Sequence, residues 1–237
     1  MRSFIAVLRK EFIGYFNSLL SYIFIVVFLV ILAWLFWQNL FLVGQTSMRD
    51  WFTLLPWFFL ILVPALSMRL WSEENKQGTV ETLLTLPISD AQLVLAKFLA
   101  AALFIAVVLL CSAPLPITLS RLGNLDWGPV LGSYLGAWLL GCAYLALGQW
   151  ISGLTKNQIV AYLLTGAVAF VFLLIGLPSI VSGDGIVVKV LYTLSTQTHF
   201  QNLAKGIISL RDVVYYVSFC GIFLYLNIYT LTKRHFA

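Results

Sequence analysis

The side chains of this 237-residue chain best suited to engage a partner lie in one short polar segment, Ser72 to Pro87. It carries the acidic pair Glu73 and Glu74, then Gly78 and Thr79, Glu81, the pair Leu83 and Leu84, and Pro87. Glycine permits a sharp turn, and a threonine after it can cap a short helix. In that helix Val80, Leu83 and Leu84 share one face while Glu81 points away. Pro87 ends it, because the residue before a proline avoids the helical region. Ser89-Asp90-Ala91-Gln92 has the capping-box pattern that opens a following helix. The expected product is a stub helix with exposed leucines, which either rests on a bilayer surface or fits a groove on a soluble partner.

Other chemistry is sparse. The chain contains no GxxxxGK[ST] phosphate loop, so nucleotide hydrolysis by that route is not expected of it. His199 and His235 stand apart in sequence and are expected as surface or interfacial residues. Cys111, Cys142 and Cys220 fall inside apolar blocks without the spacing of a metal site or disulfide framework, so they are expected as small hydrophobes and no metal is expected. The chain is not expected to be an enzyme; energy for any work must come from a partner.

The elements that would position the polar segment follow from composition. Hydrophobic residues make up 61% and charged residues only 10%, where a soluble domain carries about a quarter charged. The apolar residues come in blocks near 20–43, 52–71, 98–119, 129–151, 159–181 and 213–231, each long enough for a transmembrane helix. Pro56, Pro64, Pro114 and Pro116 interrupt the second and third blocks, a break that neighbouring helices can accommodate. No acidic or basic residue is expected deep inside a span, which argues against an ion-coupled carrier. The net charge of +5 is scattered between blocks, unlike a nucleic-acid footprint.

With both termini inside, nine of the fourteen basic residues fall on the inner side, which favours a cytoplasmic N-terminus. Trp37, Trp51 and Trp127 are expected at the outer interface, and Trp71 and Trp150 at the inner one. Residues 1–18 place Phe4, Ile5, Leu8, Phe12, Tyr15 and Phe16 near helical spacing, as in an interfacial helix before the first span. The outer loop 182–212 has similar spacing in Phe200, Leu203, Ala204, Ile207 and Ile208, which suggests one or two short amphipathic helices. Gly128, Gly132, Gly136 and Gly141 in the fourth block mark a close helix contact, within or between subunits.

The string EENKQGTVETLLTLPIS resembles the cytoplasmic coupling-helix motif of type-2 ABC exporter permeases: an acidic pair, GT, E-x-LL and LP. The longer PALSMRLWSEENKQGTVETLLTLPIS is similar to the gliding-motility-associated branch of that family, as are SGLTKNQIVA and HFQNLAKGIISLRDVVYY. The likeness reaches from about Pro64 into the sixth block. It implies an all-α membrane protein with one permease domain over residues 1–237 and six transmembrane helices. An N-terminal interfacial helix, a coupling helix within the cytoplasmic segment 72–97 and small outer helices between spans five and six complete the implied fold.

Carried over residue by residue, the likeness assigns Glu73, Glu74, Gly78, Thr79, Glu81, Leu83, Leu84 and Pro87 to the ATPase contact. The loop around Thr155, Lys156 and Asn157 would face the same side. The implied assembly has two permease copies and two ATPase subunits in a bacterial inner membrane, with both termini cytoplasmic. ATP and Mg would sit on the ATPase, with no cofactor in this chain. Members of the branch also work beside a larger auxiliary membrane protein with a periplasmic portion. The expected function is a permease subunit of an ATP-driven exporter, forming the substrate path as a dimer. The alternative is a mechanical-transmission or scaffold subunit that passes no substrate itself.

Overall fold

The computed structural model describes residues 2–43, 47–79, 88–177, 185–207 and 209–235. Eleven helices and no strand occur among the described residues. They are α1 Arg2–Asn17, α2 Leu19–Val43, α3 Arg49–Ser67, α4 Arg69–Gln77, α5 Asp90–Cys111, α6 Pro114–Leu122, α7 Trp127–Leu154, α8 Gln158–Leu174, α9 Ile186–Leu194, α10 Thr196–Ala204 and α11 Leu210–His235.

Helix α7 is the axis. Gly132, Gly136, Ala137, Gly141, Ala143, Ala146 and Gly148 keep its surface low, and α3, α4, α5, α8, α10 and α11 all pack against it. Small residues let helix backbones approach where lipid gives no hydrophobic drive for association. By contrast α2 leans mainly on α3 and buries only a narrow stripe that includes Ser21, Phe28, Leu32 and Phe36. The rest of its apolar surface is exposed, as a lipid-facing helix requires.

Five segments are long and apolar enough to cross a bilayer: Ser21–Gln38, Arg49–Gln77, Asp90–Leu122, Trp127–Leu154 and Leu210–Lys233. The block expected at 159–181 departs from this pattern, because α8 has only 17 residues. At 1.5 Å per residue it is about 25 Å long, short of a hydrocarbon core of about 30 Å. The tip of the α9–α10 hairpin closes the space just beyond it: a Cβ on Gly176 would collide with the Ser195 hydroxyl.

Helix α1 lies along α5 rather than standing alone, with Tyr15 stacked on Phe104 at 4.9 Å and Phe16 edge-on to the same ring. Its packed face comprises Val7, Glu11, Phe12, Tyr15 and Phe16, so Glu11 joins a face expected to be apolar, and Ile5 is exposed. The tryptophan expectation also needs correction: Trp51 and Trp71 are wholly buried by protein and cannot line a lipid interface. Trp51 packs against Phe52 and Tyr134, and Trp71 lies under the Lys97 ammonium at 5.1 Å.

Candidate partner-coupling site

The bundle has two ends, and the polar segment lies at the one formed by α4, the start of α5 and the α7–α8 turn. Its first half is not a loop: Ser72 to Gln77 continue the second span as α4. The joint between α3 and α4 is held by one hydroxyl. Ser152 Oγ on α7 accepts from the backbone N–H groups of Trp71 and Ser72 and donates to the Met68 carbonyl. It thereby satisfies donors that a new helix start leaves open.

Gly78 ends α4 with φ 69°, a left-handed conformation that favours glycine. Thr79 is exposed and already helical, so it does not cap from outside as expected. Glu81, Leu83, Leu84 and Pro87 lie outside the described residues. Beyond them Ser89 Oγ accepts from Gln92 N at 3.3 Å, one half of the expected capping box.

The two sequence-assigned segments meet. Asn75 Nδ2 donates to the carbonyls of Gly153 and Thr155, each at 3.2 Å, tying α4 to the α7–α8 turn. Lys156 and Asn157 are exposed there, and Asn157 caps α8 through Ile159 N. Glu73 and Glu74 do not behave alike. Glu74 turns inward and its Oε1 takes the Lys97 ammonium at 2.7 Å, while Glu73 stays partly exposed beside a cavity.

Lys97 lies at the inner margin of the third block, where the sequence placed it, but it is buried by protein. It is 2% exposed, seven residues into α5, and also pairs with Glu11 at 2.9 Å. One cation therefore joins α1, α4 and α5. Burial, with Glu11 nearby, pushes the Tyr15 phenol far above the usual tyrosine range, so it stays protonated beside this network.

The opposite end holds a second charged centre that sequence reasoning missed. His199, expected at a surface, is buried on α10 with Nδ1 2.5 Å from Asp212 Oδ1 on α11. Its Nε2 faces the Thr193 carbonyl at 3.1 Å, and Tyr215 stacks on the ring at 4.0 Å. A carbonyl only accepts, so Nε2 donates there while Nδ1 faces the carboxyl group. The hairpin carrying His199 is inverted in polarity. Apolar α9 has no buried residue, whereas polar α10 buries Thr196, Gln197, His199, Phe200 and Leu203. Of the face expected at 182–212, Phe200 and Leu203 are buried, Ile207 is exposed, and Ile208 lies outside the described residues. The only local signal for the polar pair was His and Asp thirteen residues apart across a glycine.

The fourth-block glycines face neighbours within the chain. A Cβ on Gly132 would come within 2.7 Å of the Leu203 carbonyl, and one on Gly136 within 3.0 Å of the Leu203 side chain. Gly141 sits against Phe59 and Ile105, whereas a Cβ on Gly128 would meet only Asp126 at 3.4 Å.

A family model for the ABC-2 family transporter protein matches residues 5–231. The chain belongs to the ABC-2 transporter family. Membership makes it a multi-pass membrane permease of an ABC transporter, embedded in a lipid bilayer and served by a separate ATPase. The gliding-motility branch is a finer assignment than the family match reaches. No curated protein matches the chain.

Proposed function

We propose that this ABC-2 permease is the exporter type, working as a pair of copies driven by two ATPase subunits that dock at the Glu74 end of the bundle. The observation carrying this reading is the hydrogen-bonded junction of α4 with the α7–α8 turn through Asn75 and Ser152. A push on the segment after Gly78 would pass through that junction into the axial helix. ATP and Mg belong to the ATPase; this chain carries out no catalysis and needs no cofactor.

In this reading α8 completes a sixth span. The Glu74 end faces the cytoplasm of a bacterial inner membrane, with both termini on that side, as the count of nine inner basic residues favours. Neighbours crowd α7 around its circumference, which favours a substrate path between two copies over one within a copy. The sequence motifs support the gliding-motility branch, with its larger auxiliary membrane protein.

The test is co-purification of the ATPase with a chain carrying Leu83→Asp and Leu84→Asp. Loss of association is expected; unchanged association would sink the docking site. ATPase stimulation in liposomes by a transported compound supports export, whereas stimulation only by a periplasmic protein supports the force-transmitting alternative.

A further inference from the structure

A cavity of about 440 Å³ opens between α1, the start of α2, the α3–α4 joint and α5. Its foot is polar. Lys10 and Arg69 present cations; Arg69 donates to the Ser18 hydroxyl at 3.3 Å, and among the described residues neither cation pairs with a carboxylate. Glu73 has no ion-pair partner among the described residues, and the buried Oε2 of Glu74 is unpartnered although Oε1 is bonded to Lys97. Toward the middle of the bundle the wall changes character, with Phe24 and Leu66 lining it.

The lining charges balance. Lys10, Arg69 and Lys97 face Glu11, Glu73 and Glu74, so a net anion or cation gains little from the site as a whole. A ligand carrying both signs matches it. The polar foot and apolar upper wall further require a molecule with a charged head and a hydrocarbon tail.

We propose that this cavity binds one bilayer phospholipid whose headgroup joins a phosphate to a primary ammonium, as in phosphatidylethanolamine. The phosphate takes Lys10 and Arg69, since a guanidinium donates to phosphate oxygens in a matched fork. The ammonium takes the partly exposed carboxylate of Glu73. A trimethylammonium group has no N–H to donate there, and a glycerol headgroup has no cation. The acyl chain lies along Phe24 and Leu66. The lipid would fill the gap between α1 and α4, the two helices that Lys97 ties together. This inference requires only that the chain is membrane-embedded, so it stands or falls separately from ATPase docking and export.

The experiment is native mass spectrometry of the purified full-length chain with equal phosphatidylethanolamine, phosphatidylcholine and phosphatidylglycerol, and with tail-free phosphoethanolamine as competitor. Wild-type protein is expected to retain phosphatidylethanolamine about tenfold over the other two, the scale of one charge-assisted hydrogen bond. Arg69→Gln should lower that retention about tenfold, and Glu73→Gln should abolish the preference over phosphatidylcholine. Lys10→Gln, at an exposed position on α1, should weaken retention without disturbing packing. Equal retention of all three lipids overturns the proposal, as does undiminished retention in both cation variants. Full displacement by tail-free phosphoethanolamine would also overturn it, by showing that the tail contributes nothing.

Discussion

The two charged centres of this permease bury ionisable groups among apolar helices in opposite ways. At the Glu74 end Lys97 serves two carboxylates, and a cavity brings polar surroundings to the cluster. At the other end His199 and Asp212 serve one another, sealed by Tyr215, with Asn202 as a further donor to Asp212. The first arrangement has a spare acceptor and can lose a partner without isolating a charge. The second pairs two buried groups with little to replace either. The difference separates a joint, which tolerates rearrangement, from a staple, which does not.

The largest effect is expected from His199→Ala, which leaves a carboxyl 1% exposed without its imidazole. Removing one partner of such a buried pair costs about 3–5 kcal/mol, read as a large drop in thermal unfolding temperature in detergent. A loss near zero would show that the staple holds nothing. Lys97→Met should cost less, about 2 kcal/mol, because Glu11 and Glu74 face a cavity where water, Lys10 and Arg69 can compensate. A loss as large as that of His199→Ala would erase the distinction between the ends. Glu11→Gln should be mildest, below about 1 kcal/mol, since Lys97 keeps Glu74 and the amide oxygen can still accept. The same unfolding measurement ranks all three.

What could be read from sequence was local. The apolar blocks gave the membrane class, Gly78 marked a turn, and Ser89 marked a helix start, because each signal sits within a few residues of its effect. What could not be read depends on distant partners. Lys97 looked like a loop cation until α1 and α4 brought carboxylates 86 and 23 positions away. Trp51 and Trp71 look the same in sequence as interfacial tryptophans, and only the packing of α3, α4 and α7 encloses them. The close approach of the α9–α10 tip to Gly176 was hidden for the same reason, because Ser195 lies nineteen residues later. The coupling segment is legible in part: Asn75, which stitches it to the α7–α8 turn, carried no signal as a single amide in a polar run.

The inverted hairpin also has a consequence in time. Helix α10 carries Thr196, Gln197 and His199 into the bundle, and the carboxylate that answers His199 is on α11, made later by the ribosome. Tyr216, which donates to the Thr196 carbonyl at 2.8 Å, comes later still. Polar groups left unanswered in hydrocarbon are costly, so a nascent chain that stops before Asp212 has no stable home for α10. The polar groups of α10 therefore find these partners only once α11 is present.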